Sequence, residues 1–411
     1  MIMKKSILKS YAHLIAASGV NIKKGQEVVI QASLDQPEFI RILVEECYKL
    51  GASDVLVLWS DPAITISSFK YKKLADLSVL NNWVDTRWKH WHDTLPCRIY
   101  IESDDPDALK KMNMDKYGKA TKALMPLIRN YRDEMDGKYQ WCIAAVPSVA
   151  WAKKVFPNLS KSRAEKALWE AILKTSRAYE GDPIKNWEEH DIVLKEKCDK
   201  LNKLNLRELH YENSLGTDLT VGLIPDVIWL GGGEEAVGSG IFYQPNIPSE
   251  ECFTSPMKGK AEGIVYASKP LSYRGQVIND FWFKLHEGKV VDFGAKNGTD
   301  LLKQMLEVDE FASYLGECAL IPFDSPINNT GLLFYNTLFD ENASCHIALG
   351  TGFPTLMRGN EKMTLDEITK KGINHSGSHV DFMIGTKDMN IVGVDDKGIN
   401  HQIFKDGNWA I

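Results

Sequence analysis

Long apolar runs and basic blocks are both missing from this sequence of 411 residues. No apolar run approaches the roughly 18 residues that a membrane-spanning helix requires. The net charge is −6, and no cluster of basic residues with interleaved aromatic residues occurs. Proteins that bind nucleic acids usually carry a basic patch. The sequence therefore predicts neither a membrane nor a nucleic acid as a partner.

Cysteine is present but lacks a pairing or metal-binding pattern. The seven cysteines are scattered, their number is odd, and none belongs to a CxxC motif. Such a set is typical of reduced thiols in a cytoplasmic protein. The HExxH motif of zinc proteases and the GxxxxGK[ST] phosphate-binding loop are also absent. We therefore expect the stretch GGGEEAVGSG at 231–240 to be an ordered loop that does not bind phosphate.

The first half of the chain alternates short apolar runs with helical patterns. The runs QEVVIQAS, DVLVLWS, CRIYIES and WCIAAVPS cover 26–33, 54–60, 97–103 and 141–148. Near-continuous apolar strands separated by helices are typical of a parallel sheet that is covered on both faces. We predict an α/β N-terminal domain, residues 1–190, with a mostly parallel sheet.

The sequence pattern changes after a charged helical stretch at about 160 to 205. Segments such as TDLTVGL and RGQVINDFWFKLHEGKVVDFGA then indicate hairpins whose turns contain Gly, Asn or Asp. We predict an α+β C-terminal domain that is rich in antiparallel strands, residues 191–411. Within it, Thr299 or Asp300 is expected to cap the helix LLKQMLE.

Four stretches of the second domain carry possible metal ligands within apolar or turn sequences. Residues i and i+2 of a strand share a face, so a ligand pair with that spacing projects side by side. The stretches hold Glu250 and Glu251 in NIPSEECFTSP, Glu317 in LGECALIP, His346 in NASCHIALGTGFP, and His379 and Asp381 in SHVDFMIGT.

Carboxylates and imidazoles together make a mixed oxygen and nitrogen ligand set. It suits two divalent ions, and zinc, cobalt or manganese fit it better than copper or calcium. Two such ions activate a water for hydrolysis. Each group taken singly also has an ordinary structural explanation: Glu317 as a buried salt-bridge partner, His346 as a core histidine, and His379 with Asp381 as a hydrogen-bonded pair.

Three cysteines adjoin these candidates, which raises the alternative of a thiolate zinc site. They are Cys252, Cys318 and Cys345. Neighbouring residues of a strand point to opposite faces, so thiols next to site-facing ligands should face away from the site. We therefore predict that all three thiols are packed in the core as small apolar groups.

Taken jointly, four motifs resemble those of the thermophilic-aminopeptidase (M29) family of metallopeptidases, which includes aminopeptidase T, aminopeptidase S and PepS-like enzymes. The motifs are NIPSEECFTSP, GECALIP, FYNTLFDENASCHIALG and NHSGSHVDFMIG. They span roughly residues 246 to 386. The opening AHLIAASGVNIKKGQEVVI also resembles the family's start, so the likeness covers nearly the whole chain.

The resemblance implies a metallo-aminopeptidase that releases N-terminal amino acids from short peptides through a water activated by two metal ions. Matched motif by motif, it implies the ligands Glu251, Glu317, His346, His379 and Asp381. Glu251 or Glu317 would also carry a proton as the catalytic carboxylate. The resemblance further implies a homodimer that encloses a large internal cavity, which would favour short peptides over folded proteins.

One position departs from the family pattern. The family typically has a tyrosine seven residues after the first histidine, where this chain has Phe353 near the expected substrate position. A phenol there could stabilise the tetrahedral intermediate or assist a proton transfer, and phenylalanine can do neither. A neighbouring group, such as one in the loop of His375, is an alternative donor.

Two other functions remain open at the level of sequence. A two-metal phosphoesterase uses a similar ligand set, and hydrolysis of an aminoacyl anilide against a nitrophenyl phosphate separates the two activities. A catalytically weak relative that binds metal or peptide is the second alternative, because Phe353 replaces the tyrosine. Bound metal without turnover would support that alternative.

Overall fold

The computed structural model describes residues 3–103, 105–274 and 276–411. Residue 275, in the predicted hairpin that begins RGQV, lies outside this description. Contacts divide the chain into two units, one of Met1–Asn186 with Gly233–Ile247, the other of Trp187–Gly232 with Pro248–Ile411. A functional domain boundary between residues 190 and 191 stays a prediction.

The strands are, in chain order, β1 (Glu27–Ser33), β2 (Asp54–Ser60), β3 (Cys97–Glu102), β4 (Trp141–Ala145), β5 (Leu206–Glu212), β6 (Asp218–Leu223), β7 (Glu234–Glu235), β8 (Phe242–Tyr243), β9 (Asn246–Ile247), β10 (Cys252–Thr254), β11 (Pro256–Tyr266), β12 (Leu271–Tyr273), β13 (Gln276–His286), β14 (Lys289–Asn297), β15 (Leu315–Leu320), β16 (His346–Gly350), β17 (His379–Met383), β18 (Asn390–Asp395), β19 (Asn400–Lys405) and β20 (Asn408–Trp409).

The α-helices are α1 (Lys5–Leu14), α2 (Pro37–Lys49), α3 (Pro62–Tyr71), α4 (Leu74–Leu77), α5 (Asn82–Thr94), α6 (Met114–Met135), α7 (Val149–Val155), α8 (Lys161–Thr175), α9 (Pro183–Leu204), α10 (Thr299–Leu306), α11 (Thr337–Asp340) and α12 (Leu365–Lys370). A π-helical turn at Ile15–Gly19 continues α1, and short 3₁₀ turns occur at Asn328–Thr330, Glu341–Ala343, Pro354–Leu356 and Asn360–Lys362. Within the described ranges, no helix is long and apolar enough to cross a bilayer.

The sheet of the first unit is parallel throughout its described strands. Its order is β2-β1-β3-β4-β9. The centre of β1 is a buried apolar run, Val28 to Ile30, as expected for a strand covered on both faces. Between β1 and β2, α2 starts with proline in its first turn and is followed by Gly51, whose φ of 99° lets the chain leave the helix. The predicted α/β domain with a mostly parallel sheet is confirmed.

The second unit contains antiparallel sheets. One has the order β10-β15-β16-β17, and a larger one has the order β12-β13-β11-β6-β5-β18-β19-β20, with β14 paired to β13. The pairs within both are antiparallel. The predicted α+β domain rich in antiparallel strands is therefore confirmed as well.

The predicted cap of α10 is wrong. Gly298, and neither Thr299 nor Asp300, occupies the position before the first helical residue, and it has a φ of 91°. A Cβ at Gly298 would lie 3.1 Å from Ile278, so the chain passes close to β13 as it leaves β14. The tight turn after β14 thus selects glycine and moves both polar residues into the first helical turn.

One face of the β10-β15-β16-β17 sheet belongs to the main apolar core of the second unit. That face includes Cys318, Leu320, Ile347, Leu349 and Phe382. The alternate residues of the same strands therefore project from the opposite face.

The three cysteines next to candidate ligands follow this alternation. Cys252, Cys318 and Cys345 all lie in the apolar core. Their prediction as packed core thiols is therefore confirmed.

A β-bulge in β15 makes Glu317 an exception to simple alternation. Leu315 and Glu317 are two residues apart, yet Leu315 packs in the core. The pairing of β15 with β16 shifts register between these two residues. The bulge thus turns Glu317 to the face opposite the core, as bulges beside functional sites often do.

Gly316 lies inside the bulge, so a substitution there tests how much the bulge contributes to stability. A Cβ there would overlap the carbonyl oxygens of Gly350 and Thr351. We expect Gly316→Ala to lower the free energy of unfolding by about 1–3 kcal/mol, the usual cost of overpacking. Urea unfolding measures it. Gly118→Ala is the control, because a Cβ on that residue of α6 meets nothing within 4 Å. Alanine there should preserve or raise stability, and equal losses in both variants would contradict our account.

Candidate metal centre

The five predicted ligands are brought together on the face of the β10-β15-β16-β17 sheet that lies opposite the core. Their side chains come from the residue before β10, from the bulge of β15, from the first residue of β16, and from the first and third residues of β17. These are Glu251, Glu317, His346, His379 and Asp381.

Small residues occupy the middle of this face. Ala348 of β16 is paired with Glu317 on one side and with Asp381 on the other. Gly350 is paired with His379. The two carboxylates therefore flank a methyl group.

Two groups of possible ligand atoms share one member. Atoms of Glu251, Glu317 and His346 all lie within 4.8 Å of one another, and so do atoms of Glu317, His379 and Asp381. The Nε2 atom of His379 is 3.1 Å from Oε2 of Glu317 and 3.1 Å from Oδ1 of Asp381. The Nε2 atom of His346 is 3.4 Å from Oε2 of Glu251. Glu317 is thus common to both groups.

Backbone carbonyls orient both imidazoles. The Nδ1 atom of His346 is 2.8 Å from the carbonyl oxygen of Glu341, and Nδ1 of His379 is 2.8 Å from that of Thr351. A carbonyl only accepts, so each Nδ1 must carry the proton and donate it. Metal-binding histidines are commonly held in this way, because the remaining Nε2 lone pair then points at the ion.

Glu341 is a further acidic group that the sequence analysis missed. Its carboxyl forms a hydrogen bond with Asp381, and burial together with the nearby charges of Asp381, Glu251 and Glu317 raises its pKa well above the usual range. It lies in the 3₁₀ turn Glu341–Ala343. The signal available in the sequence was its place inside the motif FYNTLFDENASCHIALG, five residues before His346.

Glu250, the alternative to Glu251, is placed differently. Its backbone amide donates to Oδ1 of Asn342 at 2.8 Å, and its carboxylate lies 3.7 Å from Nε2 of His190. It belongs to neither group of possible ligand atoms.

In the glycine-rich stretch at 231–240, Gly231 lies against the backbone of Glu251. A Cβ on Gly231 would overlap the carbonyl oxygen of Glu251, so glycine lets the two backbones approach. The stretch then enters β7 and opens no helix, which removes the main structural feature of a phosphate-binding loop.

The charges of neighbouring groups in the cluster set the pKa values of His379 and Asp381. Burial alone would lower the pKa of His379, but Asp381 and Glu317 outweigh it and raise this pKa well above its usual range. Burial alone would likewise raise the pKa of Asp381, but the charge of His379 is the main factor that lowers it to about 2. Without a metal, the proton on His379 therefore offsets part of the negative charge.

The residues fit a metal site. The Oδ1 atom of Asp381 is buried, and no hydrogen bond from the described residues reaches it, although Nε2 of His379 lies nearby. A buried carboxylate oxygen without a hydrogen bond is costly. Glu251, Glu317 and Asp381 are also all buried, with at most 8% of each residue exposed, an arrangement that calls for cations.

Phe353 lies beside this cluster. Its ring centroid is 5.2 Å from that of His379 and 5.2 Å from that of Phe253. Its backbone amide donates to Oγ of Ser255 at 2.9 Å. The half-buried ring therefore packs against a candidate ligand, on the side where Phe253, Ile321 and Leu356 form a separate apolar cluster.

With this geometry established, comparison with known proteins decides the family. The family model for thermophilic metalloproteases (M29) matches residues 4–409. The chain belongs to the M29 family. Aminopeptidase AmpS of Bacillus subtilis (strain 168) is 40% identical over 404 residues, 98% of each chain, and aminopeptidase 2 of Geobacillus stearothermophilus is 38% identical over 98% of this chain and 97% of its own.

A solved structure agrees with the sequence comparisons. Wild-type AmpT from Thermus thermophilus superposes with a TM-score of 0.89 at 34% identity, covering 99% of this M29 chain and 100% of its own. The predicted family and enzyme class are confirmed: this is a metallo-aminopeptidase, a hydrolase of peptide bonds.

Metal binding should compete with protons. The raised pKa values of His379 and Glu341 mean that both groups hold a proton more tightly than usual when no metal is present. A divalent ion needs the free lone pairs, so binding releases protons and affinity should rise with pH. Asp381, with a pKa of about 2, should release none.

Titration calorimetry with Zn²⁺ in buffers of different ionisation enthalpy measures this release. Glu341→Gln carries no titratable proton at that position and should release fewer protons on binding. An affinity that is independent of pH between about 6 and 8 would contradict the proton competition.

Proposed function

We propose that this M29 aminopeptidase binds two divalent ions, with Glu317 shared between them. The observation that carries the proposal is that the two groups of ligand atoms meet at this one carboxylate. One ion would be held by Glu251, Glu317 and His346, the other by Glu317, His379 and Asp381. Zinc, cobalt or manganese suits such a nitrogen and oxygen set.

Charge balance supports a sixth group. Two divalent ions carry four positive charges, whereas the carboxylates of Glu251, Glu317 and Asp381 supply three negative ones. Glu341 supplies the fourth, while both histidines bind as neutral imidazoles. We therefore infer that Glu341 loses its proton and joins the ligands when both ions are present.

The reaction is cleavage of the first peptide bond of a short peptide. When bound, two such ions supply Lewis acidity for the peptide carbonyl and activate the attacking water. Glu251 or Glu317 accepts a proton from that water and passes it to the leaving amine. The free α-amine of the substrate would be held at the metal centre, which distinguishes an amino-terminal substrate from an internal peptide bond.

The oligomeric state, the substrate size and the compartment are inferred from other features of the chain. We infer a homodimer and a preference for short peptides from the family resemblance of the four motifs. A cytoplasmic location is supported by the seven cysteines, which are all free thiols and all buried.

The ligand assignment predicts that substituting a ligand and substituting its neighbour in the chain have very different effects on metal content and kcat. Glu317→Gln and His379→Ala should each lower kcat by orders of magnitude and reduce the two bound ions per chain, because a lost ligand changes the charge and geometry of a coupled pair. Metal content by mass spectrometry and turnover of an aminoacyl anilide measure the two effects.

Cys318→Ala is the matched control, since it adjoins Glu317 but lies in the core. It should cost stability and leave the metal content nearly intact. A folded Cys318→Ala variant that loses metal would reverse our assignment of strand faces. Wild-type protein that binds no divalent ion, or that cleaves nitrophenyl phosphate faster than the anilide, would overturn the proposed function.

Phe353→Tyr tests the departure from the family pattern. The change adds one hydroxyl to a ring that packs on His379. A well-aimed donor to a developing oxyanion is worth up to a hundredfold or so in rate. We expect a smaller gain in kcat, because a site adapted to phenylalanine is not built to aim a new hydroxyl, and little change in metal affinity.

The rival account assigns the donor role to the loop that contains His375. Under that account Phe353→Tyr is neutral or harmful, whereas His375→Ala lowers kcat. Turnover of both variants on one peptide substrate decides between the accounts. If neither variant changes kcat, both fail, and the metal ions alone stabilise the intermediate.

A further inference from the structure

The imidazole of His379 depends on a second chain segment for its orientation. Its Nδ1 donates to the carbonyl oxygen of Thr351 at 2.8 Å. The amide of Thr351 in turn donates to the carbonyl oxygen of Ser378 at 2.7 Å. The direction of Nε2 is therefore set by where Thr351 lies relative to residues 374–378, which we name the His379 loop.

The His379 loop contains no helix or strand residue and is held by specific hydrogen bonds. On the inner side of the loop, the backbone carbonyl oxygen of the buried Asn374 accepts from the amide of Gly352 at 2.8 Å. Its side-chain Nδ2 donates to the carbonyl oxygens of Gly350 at 2.5 Å and Phe311 at 2.9 Å. These contacts attach the start of the loop to the end of β16.

Asp309 holds the outer side of the same loop. Its Oδ2 accepts from the amide of Gly377 at 2.6 Å, and Oγ of Ser376 lies 2.9 Å from both carboxylate oxygens. Its Oδ1 also accepts from the amide of Phe311 at 2.9 Å. Partial burial would raise the pKa of Asp309, but the hydrogen bonds from Gly377 and Ser376 bring it below the usual range, so the carboxylate is ionised.

The arrangement links a surface carboxylate to a candidate metal ligand three contacts away. Asp309 fixes Ser376 and Gly377, the next residue Ser378 fixes Thr351, and Thr351 fixes the ring of His379. A Cβ on Gly350 would overlap the carbonyl oxygen of Ser378, so the loop also lies tightly against β16 and has little freedom to shift there.

We propose that Asp309 is a positioning residue for the metal centre, which acts by holding the His379 loop so that Nε2 of His379 faces Glu317 and Asp381. The proposal rests on the proposed function in one respect, namely that His379 binds a metal ion. Asp309 touches neither the ion nor the substrate. Its effect should therefore appear in metal affinity before it appears in the chemistry.

The test compares Asp309→Ala with Asp395→Ala. Asp395 is a matched control in the same unit, because its carboxylate accepts from the amides of Lys397 and Ile399 and from His401 in the β18-β19 hairpin. Asp309→Ala should weaken Zn²⁺ or Mn²⁺ binding by roughly 10-fold, the lower end of the effect of losing a direct partner of a ligand, because Asp309 acts on His379 through the loop. Asp395→Ala should leave it within about twofold, while both variants show similar thermal unfolding.

Turnover separates positioning from a direct role. At saturating metal, Asp309→Ala should recover most of its kcat with KM for the peptide unchanged, because every ligand is still present, whereas His379→Ala should not recover. Asp309→Asn keeps one acceptor for the amide of Gly377 and should have an intermediate metal affinity. Metal affinity of Asp309→Ala equal to that of Asp395→Ala would overturn the proposal.

A measurement that needs no metal keeps the two proposals separate. The Nδ1 proton of His379 should give a slowly exchanging NMR signal, assigned by its absence in His379→Gln. Asp309→Ala should speed the exchange of this proton, and Asp395→Ala should not. If wild-type protein binds no metal, the proposed function fails, while unchanged exchange in Asp309→Ala shows that the positioning role is wrong.

Discussion

Repulsion among buried carboxylates is the constraint on which the rest of the second unit depends. Glu251, Glu317 and Asp381 are buried, Glu317 lies within a few ångströms of each of the other two, and Glu341 forms a hydrogen bond with Asp381. In such surroundings a negative charge is stabilised only by a nearby positive charge or by a proton. Without metal, protons on His379 and Glu341 offset part of the negative charge. Two divalent ions would replace those protons. The cluster is therefore a site whose occupancy by metal and whose protonation state cannot be separated.

The fold meets this constraint by assigning the two faces of one antiparallel sheet to opposite chemistries. One face is continuous with the apolar core through Cys318, Ile347 and Phe382, and it gives the strands a rigid support. The other face presents the candidate ligands around Ala348, where the strand pairing fixes the spacing of Glu317 and Asp381. Glu317 and Asp381 lie within paired strands, whereas His379, at the end of a strand, also contacts the carbonyl oxygen of Thr351.

Features that follow from local pattern could be predicted from the sequence. β2 occupies 54–60, as its apolar run indicates, and the core placement of the three thiols follows from strand alternation. Three features depend on contacts between distant segments, which no local pattern encodes. β9 consists of two residues that return to the parallel sheet, Gly298 is selected by its closeness to Ile278, and Glu341 reaches the site from a turn without periodicity.

The bulge at Gly316 determines which side chains of β15 face the candidate metal site. Each of Glu251, Glu317 and His346 has a cysteine as an immediate neighbour in the chain. A frame shift of one residue along a strand exchanges its two faces. If the register at Leu315 continued without the bulge, Gly316 would pair with Ala348 and Glu317 with Ile347, so Glu317 would point into the core and Cys318 would lie opposite His346. A soft thiol would then stand on the candidate metal face in place of the carboxylate that both groups share. Thiolates favour different metals from carboxylates, so the preference between hard and soft ions depends here on the length of one strand as much as on the residues it contains.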